Sequence, residues 1–116
     1  MNIGQKGLAE VDLTIPQATT LSFTVVHRDS EGNVVDHSAS ELHMAMRRKS
    51  TTDLSSCCHA TAEAVSVSIP KSVTETLALG TYKWDLMAVT QSGESFRLCY
   101  GTASVVDTYA LDGEDG

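Results

Sequence analysis

Apolar and polar residues alternate along most of this chain, which is the period-2 pattern of half-buried β-strands. The alternation is clearest in residues 21–25, 65–69 and 82–88, where aliphatic or aromatic residues occupy every second position. Pro70 follows the segment 65–69, and Pro16 follows another alternating segment, 11–15. Proline sits at strand ends because it cannot donate to a ladder. The pattern predicts a chain built mainly of short strands.

The predicted strands, of which 57–64 is the weakest, are residues 11–15, 21–26, 42–47, 57–64, 65–69, 82–89 and 96–106. The segment 42–47 also carries good helix formers, but its alternation and its neighbours favour a strand. Residues 49–56, KSTTDLSS, are predicted to be a polar loop. About seven short strands without a strand–helix rhythm predict an all-β, immunoglobulin-like antiparallel β-sandwich.

Turn and helix signals lie between the predicted strands. The segment DSEGN, residues 29–33, has a glycine that accepts positive φ and side chains that bond local backbone. Residues 90–95 predict a hairpin turn centred on Ser92 and Gly93. Ser72 with Glu75 three residues later resembles a capping box, which predicts one short helical turn ending before Gly80.

The strand pattern divides the chain into three parts. Residues 1–10 are predicted to be an extended arm, residues 11–109 the sandwich domain, and residues 110–116 an acidic, flexible tail. The arm has too few apolar groups to offset the entropy of ordering it alone. We expect it to pair as a strand with a neighbouring subunit, with Ile3 and Leu8 in pockets; the alternative is an edge strand on its own sheet.

The charge and the hydropathy of the chain limit the classes of partner that we expect it to bind. The 116 residues carry 15 acidic and 8 basic side chains, a formal net charge of −7. Phosphate binding needs clustered Lys and Arg, so nucleic acid is not an expected partner. The short basic run at residues 47–49 is interpreted as a solvated strand end. No 18-residue apolar run and no secretory h-region occur in the sequence, so no membrane partner is expected either.

The cysteine count bears on metal binding and on disulfides. Cys57, Cys58 and Cys99 are an odd number, which prevents a complete disulfide framework within one chain. The vicinal pair could bind metal with His59, but the spacing does not supply a fourth ligand. Free thiols are favoured over an intermolecular disulfide, and both over a metal site.

No catalytic constellation emerges from the remaining residues. The histidines His27, His37, His43 and His59 have no partner motif, and His27 is expected at the sandwich rim. The DSEGN segment lacks the glycine and the closing glutamate of a calcium loop, so a plain turn is favoured. Trp84 is expected in the core, flanked by Leu86, Phe23 and Phe96; Tyr82 and Tyr100 are placed on the same inward face. We predict no catalytic, cofactor-binding or metal-binding residue and no enzymatic activity.

Two stretches together resemble a small domain that recurs in tailed bacteriophages and prophages. Residues 13–36 match an L-T-I-x-Q-G-x-T opening followed by a D-x-x-G-N-x-x-D turn, with Ala18 in place of the usual glycine. Residues 66–105 match I-P-x-x-x-T-x-x-L-x-x-G-x-Y-x-[WY]-D-L and then L-x-x-G-x-x-x-V. The match covers roughly three-fifths of the chain and consists of structural residues.

The resemblance implies an immunoglobulin-like structural protein of a virion, made in the bacterial cytoplasm and assembled in multiple copies. It implies other virion proteins as partners, either the major capsid protein or tail and baseplate subunits. A single domain with an extended arm favours a capsid decoration protein on a repeated lattice over a tail or baseplate adaptor. A carbohydrate- or receptor-binding module is the alternative from another class.

Overall fold

The computed structural model describes residues 9–108, which form two β-sheets around a shared core. The elements are β1 (Ala9–Glu10), β2 (Leu13–Pro16), β3 (Leu21–Val25), β4 (Glu41–Arg47), β5 (Thr51–Asp53), a 3-10 turn (Ser55–Cys57), β6 (Cys58–Ala60), β7 (Val65–Ile69), α1 (Lys71–Thr74), β8 (Gly80–Val89) and β9 (Ser95–Val106). The larger sheet has the order β1-β9-β8-β4-β5, with β2 also paired to β9, and the smaller sheet has the order β3-β7-β6. The predicted all-β sandwich is confirmed.

The first two strands run parallel to β9, which differs from the antiparallel pairing expected throughout. They form an edge that is interrupted at Val11 and Asp12 and ends at Pro16, paired with Val106. Ala9 and Glu10, the last residues of the predicted arm, belong to this edge. Residues 1–8 of the arm and the tail at 110–116 lie outside the described residues.

The core is filled by the inward positions of both sheets. Its buried apolar members are Leu13, Ile15, Met44, Met46, Leu54, Val65, Val67, Ile69, Leu77, Tyr82, Trp84, Leu86, Ala88, Leu98, Cys99, Ala103 and Val105. Trp84 is 3% exposed, and the ring of Phe23 in the opposite sheet meets it edge-on with centroids 5.7 Å apart. The predicted interior position of Trp84 is confirmed, whereas Phe96 packs elsewhere, against His27 and His37.

Two local predictions are wrong. The segment 49–56 is not all loop, because Thr51–Asp53 pairs with β4 and Leu54 is buried. Its polar composition reflects an exposed edge strand, which alternation does not reveal. The capping box is absent: Pro70 is the N-cap of α1 with no side-chain cap bond, so Ser72 lies inside the helix, past the capping position.

Candidate interaction surface

A β-bulge in the β8–β9 hairpin decides which side chains of the large sheet face solvent. Leu86 pairs with Cys99, and the next residue, Met87, pairs with Arg97. Leu98 is therefore an extra residue in β9, opposite no partner. One extra residue shifts the alternation of inward and outward side chains by one position.

Tyr100 lies on the outer face because of this bulge. Beyond it, Cys99 and Ala103 point into the core, and Tyr100 between them is only half-buried. Continuing the alternation from Phe96 predicts a core position for Tyr100, and that prediction is wrong. A single-residue bulge leaves no mark in the sequence pattern here, since both phases of β9 carry apolar residues.

Three basic side chains surround a hollow on the outer face of β4, β8 and β9. Ala45 lies opposite Asp85 across the two strands, and its small side chain leaves a surface cavity of about 230 Å³. The cavity, which we call the cationic hollow, is lined by Ala45, Arg47, Lys83, Trp84, Asp85 and Arg97.

Two of these basic side chains face each other across neighbouring strands. Arg47 pairs directly with Lys83 across β4 and β8, and both are exposed. Like charges in that position repel each other. Within residues 9–108 neither one forms an ion pair. Two facing cations without an ion pair in this part of the chain contrast with the acidic balance of the whole sequence.

Arg97 is held at the edge of the cationic hollow by two contacts. Its Nε lies 3.4 Å from Oδ2 of Asp85, and its guanidinium carbon lies 4.5 Å from the centre of the Tyr100 ring. The ion pair uses Nε, and within residues 9–108 the two terminal nitrogens form no ion pair. An adjoining cavity of about 260 Å³ is lined by Glu10, Lys83, Trp84, Arg97, Tyr100, Gly101 and Thr102.

The basic side chains of this surface can bind an anion, and Asp85 and Glu10 also line it. Guanidinium and ammonium groups bind carboxylate, phosphate or sulfate oxygens, and the Tyr100 ring offers an apolar face beside them. The sequence pattern predicts a solvated strand end for Arg47 and does not single out Lys83 or Arg97. Alternation places each of them outward, but only the strand register brings them together.

A second polar cluster lies inside the sandwich. His27 Nδ1 and His37 Nε2 are 2.8 Å apart, and the two rings stack with centroids 5.1 Å apart. His37 Nδ1 lies 2.9 Å from the Ser40 hydroxyl. His27 is 3% exposed, so its predicted position at the rim is wrong; it continues the inward set of β3 because His37 supplies a buried partner.

Burial lowers the pKa of both imidazoles, and the neighbouring His37 lowers the pKa of His27 further. The hydrogen bond between them needs one N–H and one lone pair, so two charged rings cannot share it. Phe96 packs against both rings. The pair ties the loop between β3 and β4 to the core, which is a structural role.

Cys57, Cys58 and Cys99 carry free thiols. Burial raises the pKa of Cys58 to about 11 and that of Cys99 to about 12, which keeps both protonated and unreactive at neutral pH. His59 lies exposed on β6. In the described part of the chain no group of three or more His, Cys, Asp or Glu side chains is placed to hold a metal ion.

The DSEGN segment forms the expected turn. Asp29 Oδ1 accepts hydrogen bonds from the backbone N–H groups of Glu31 and Asn33, each at 2.9 Å. Gly32 has a φ of 88°. The Asp29 carboxylate therefore holds the turn itself together, and these backbone bonds lower its pKa.

Between residues 9 and 108 there is no helix with the length and apolar character needed to cross a bilayer.

Comparisons with known proteins identify no family. No protein-family model matches the chain, and no similar sequence is found among curated proteins. Among solved structures, a 2,6-sialyltransferase from Photobacterium sp. JT-ISH-224 aligns at 14% identity and a TM-score of 0.39, over 89% of this chain and 19% of the other. A family 123 glycoside hydrolase from Clostridium perfringens aligns at 7% identity and a TM-score of 0.43, over 90% and 24%. This chain thus spans no more than a quarter of those enzymes, and at such TM-scores the alignments carry no inference about it.

Proposed function

We propose that this chain is a non-enzymatic structural component of a tailed-phage virion, and specifically a capsid decoration protein. It would be made in the host cytoplasm and would bind a repeated lattice of major capsid protein in many copies. One observation carries the proposal. The residues of the phage-domain resemblance have structural roles in this sandwich, as expected if the resemblance is to a structural domain.

The second matching stretch illustrates this role. Thr74 is fully buried, and its hydroxyl donates to the Thr19 carbonyl at 2.6 Å and accepts from the Thr19 N–H at 3.0 Å. Leu77 is buried, and its carbonyl accepts from the Gln17 amide at 2.7 Å. Thr74 and Leu77 of one stretch thus hold Thr19 and Gln17 of the other. The two stretches that carry the resemblance are joined to each other by these bonds.

The cationic hollow is the attachment surface in this proposal. A lattice protein that presents a carboxylate side chain between Arg47 and Lys83 would relieve their mutual repulsion on binding. The partner is therefore expected to carry an acidic patch, with an apolar group to cover Tyr100. Attachment through exposed charges weakens as salt is added.

Quantitative mass spectrometry of purified particles of the encoding phage tests the proposal. A decoration protein is expected at a copy number on the order of hundreds per particle, as a repeated lattice requires. A copy number of tens or fewer would assign the chain to the tail or baseplate, which is the alternative within the virion. Absence from the particles would remove the virion proposal altogether.

A carbohydrate- or receptor-binding module is the second candidate function, and the outward position of Tyr100 favours it. The Tyr100 ring is half-buried and the Arg97 guanidinium lies over it, so the part of the ring that remains accessible can contact a sugar while the neighbouring side chains bond its hydroxyls. A glycan array probed with the parent protein and with Tyr100→Ala tests this candidate. Specific micromolar binding that Tyr100→Ala abolishes would support sugar recognition at this surface. If the parent protein binds no glycan, this candidate function is removed.

A further inference from the structure

The outermost strands of the two sheets formed by residues 9–108 are not alike. The edge formed by β1 and β2 is broken at Val11 and Asp12 and ends at Pro16. The edge strands β5 and β6 are only three residues long, and β5 carries Asp53. Short, interrupted, charged or proline-containing edges resist pairing with another chain.

The edge strand β3 has none of these protections. Its five residues, Leu21–Val25, read LSFTV, with strong β-formers and neither a charge nor a proline. It pairs with β7 on one side, and no strand within residues 9–108 pairs with its other side. Its inward side chains Leu21, Phe23 and Val25 are only half-buried, so apolar surface remains to be covered.

The outer face beside this edge is also free of charge. Ser22 and Thr24 on β3 point outward, opposite Ser68 and Ser66 on β7. The Ser22 and Ser68 hydroxyls lie 3.1 Å apart and form a cross-strand hydrogen bond. Hydroxyl pairs of this kind stabilise neighbouring strands.

We propose that β3 is a docking edge for β3 of a second copy of this chain, in antiparallel register about Phe23. The strand is self-complementary in that register. Leu21 faces Val25 of the partner subunit, Phe23 faces the partner subunit's Phe23, and Ser22 faces Thr24 of the partner subunit. Apolar positions meet apolar positions and hydroxyls meet hydroxyls, and no like charges oppose each other.

The result is a two-fold symmetric dimer with a continuous six-stranded sheet, since the same edge serves both subunits. A five-residue strand pair covers less area than a standard stable interface, so we expect a weak, reversible dimer that forms as the protein concentration is raised. The inference does not depend on the proposed virion role. It is tested on the purified protein alone.

Sedimentation analysis over a concentration series tests the dimer. The double variant Ser22→Lys/Thr24→Lys places like charges opposite each other in the proposed register, and we expect at least a ~10-fold weaker self-association. Ser66→Lys/Ser68→Lys is the matched control, with the same exposed face but one strand away from the edge. It should dimerise as the parent does.

A mixing experiment tests the proposed antiparallel register. Ser22→Glu/Thr24→Glu should also be monomeric by itself, and mixing it with the Lys variant should restore a dimer containing one copy of each. A parent protein that stays monomeric up to millimolar concentration overturns the proposal. So does a dimer that the Lys variant leaves intact, or one that is lost on deleting residues 1–8, since that result would make the N-terminal segment the occupant of the edge.

Discussion

The indole N–H of Trp84 donates a 2.9 Å hydrogen bond to the backbone carbonyl of Val11. This bond joins the buried tryptophan of β8 to the interruption between β1 and β2. Gly101 lies opposite Trp84 in β9, and a Cβ there would collide with the same Val11 carbonyl. Asp12 then accepts bonds from the backbone N–H and the hydroxyl of Thr102. Trp84 and Gly101, which both belong to the resemblance, thus hold the edge formed by β1 and β2 against the core.

Two substitutions of Trp84 distinguish the contribution of its packing to stability from that of this hydrogen bond. Trp84→Ala should lower the free energy of unfolding by about 3–5 kcal/mol through the cavity it leaves. Trp84→Phe keeps much of the apolar surface but removes the hydrogen bond to the carbonyl of Val11, an exposed residue, which should cost about 0.5–1.5 kcal/mol. Urea unfolding measures both. A Trp84→Ala variant with the parent's stability would contradict the buried position.

Ala18→Gly is expected to stabilise the protein. Ala18 has a φ of 61°, a left-handed conformation that glycine adopts without the steric cost borne by other residues. We expect the free energy of unfolding to rise by about 0.5–1 kcal/mol. Ala39→Gly, at an exposed position without positive φ, is the control and should not stabilise. If Ala18→Gly also fails to stabilise, the left-handed backbone at this turn is wrong.

Features of the fold that depend on a single strand can be predicted from the sequence. Features that depend on how two strands pair cannot. The alternation of Tyr82, Trp84, Leu86 and Ala88 predicted β8 and its inward face, because side-chain direction follows the chain itself. The same pattern failed for Tyr100, because a bulge is set by pairing with another strand. It also missed the cationic hollow, since the basic side chains of β4 and β8 meet only through the register of the two strands.

The buried histidine pair should make stability depend on pH. In the unfolded chain His27 and His37 take up protons near the ordinary histidine pKa of 6.5, whereas the folded protein lowers the pKa of both. The unfolded state therefore binds more protons in acid, and stability present above pH 6.5 is lost as the pH falls below it. Urea unfolding between about pH 8 and pH 5 measures this loss. His59→Asn, an exposed control, should follow the parent's profile, and a flat parent profile over that range would contradict the buried pair.

The charge pair on the outer face predicts opposite effects on stability and on binding. Lys83→Glu replaces a repulsive cross-strand pair with an attractive one, so the free energy of unfolding should rise by about 0.2–1 kcal/mol. The same variant should attach more weakly to particles, because it removes a cation from the cationic hollow. Lys71→Glu, exposed on α1, is the control for total charge and should attach normally. A Lys83→Glu variant that attaches as well as the parent would remove this hollow as the attachment surface.

The most direct test of the virion proposal is to add the purified protein to particles assembled without it and to count the copies bound at saturation. The proposal predicts saturable binding, on the order of hundreds of copies per particle, as a repeated lattice requires. It also predicts that Arg47→Glu/Lys83→Glu folds normally and does not bind. If the folded parent protein fails to bind such particles at any concentration, the chain is not a decoration protein.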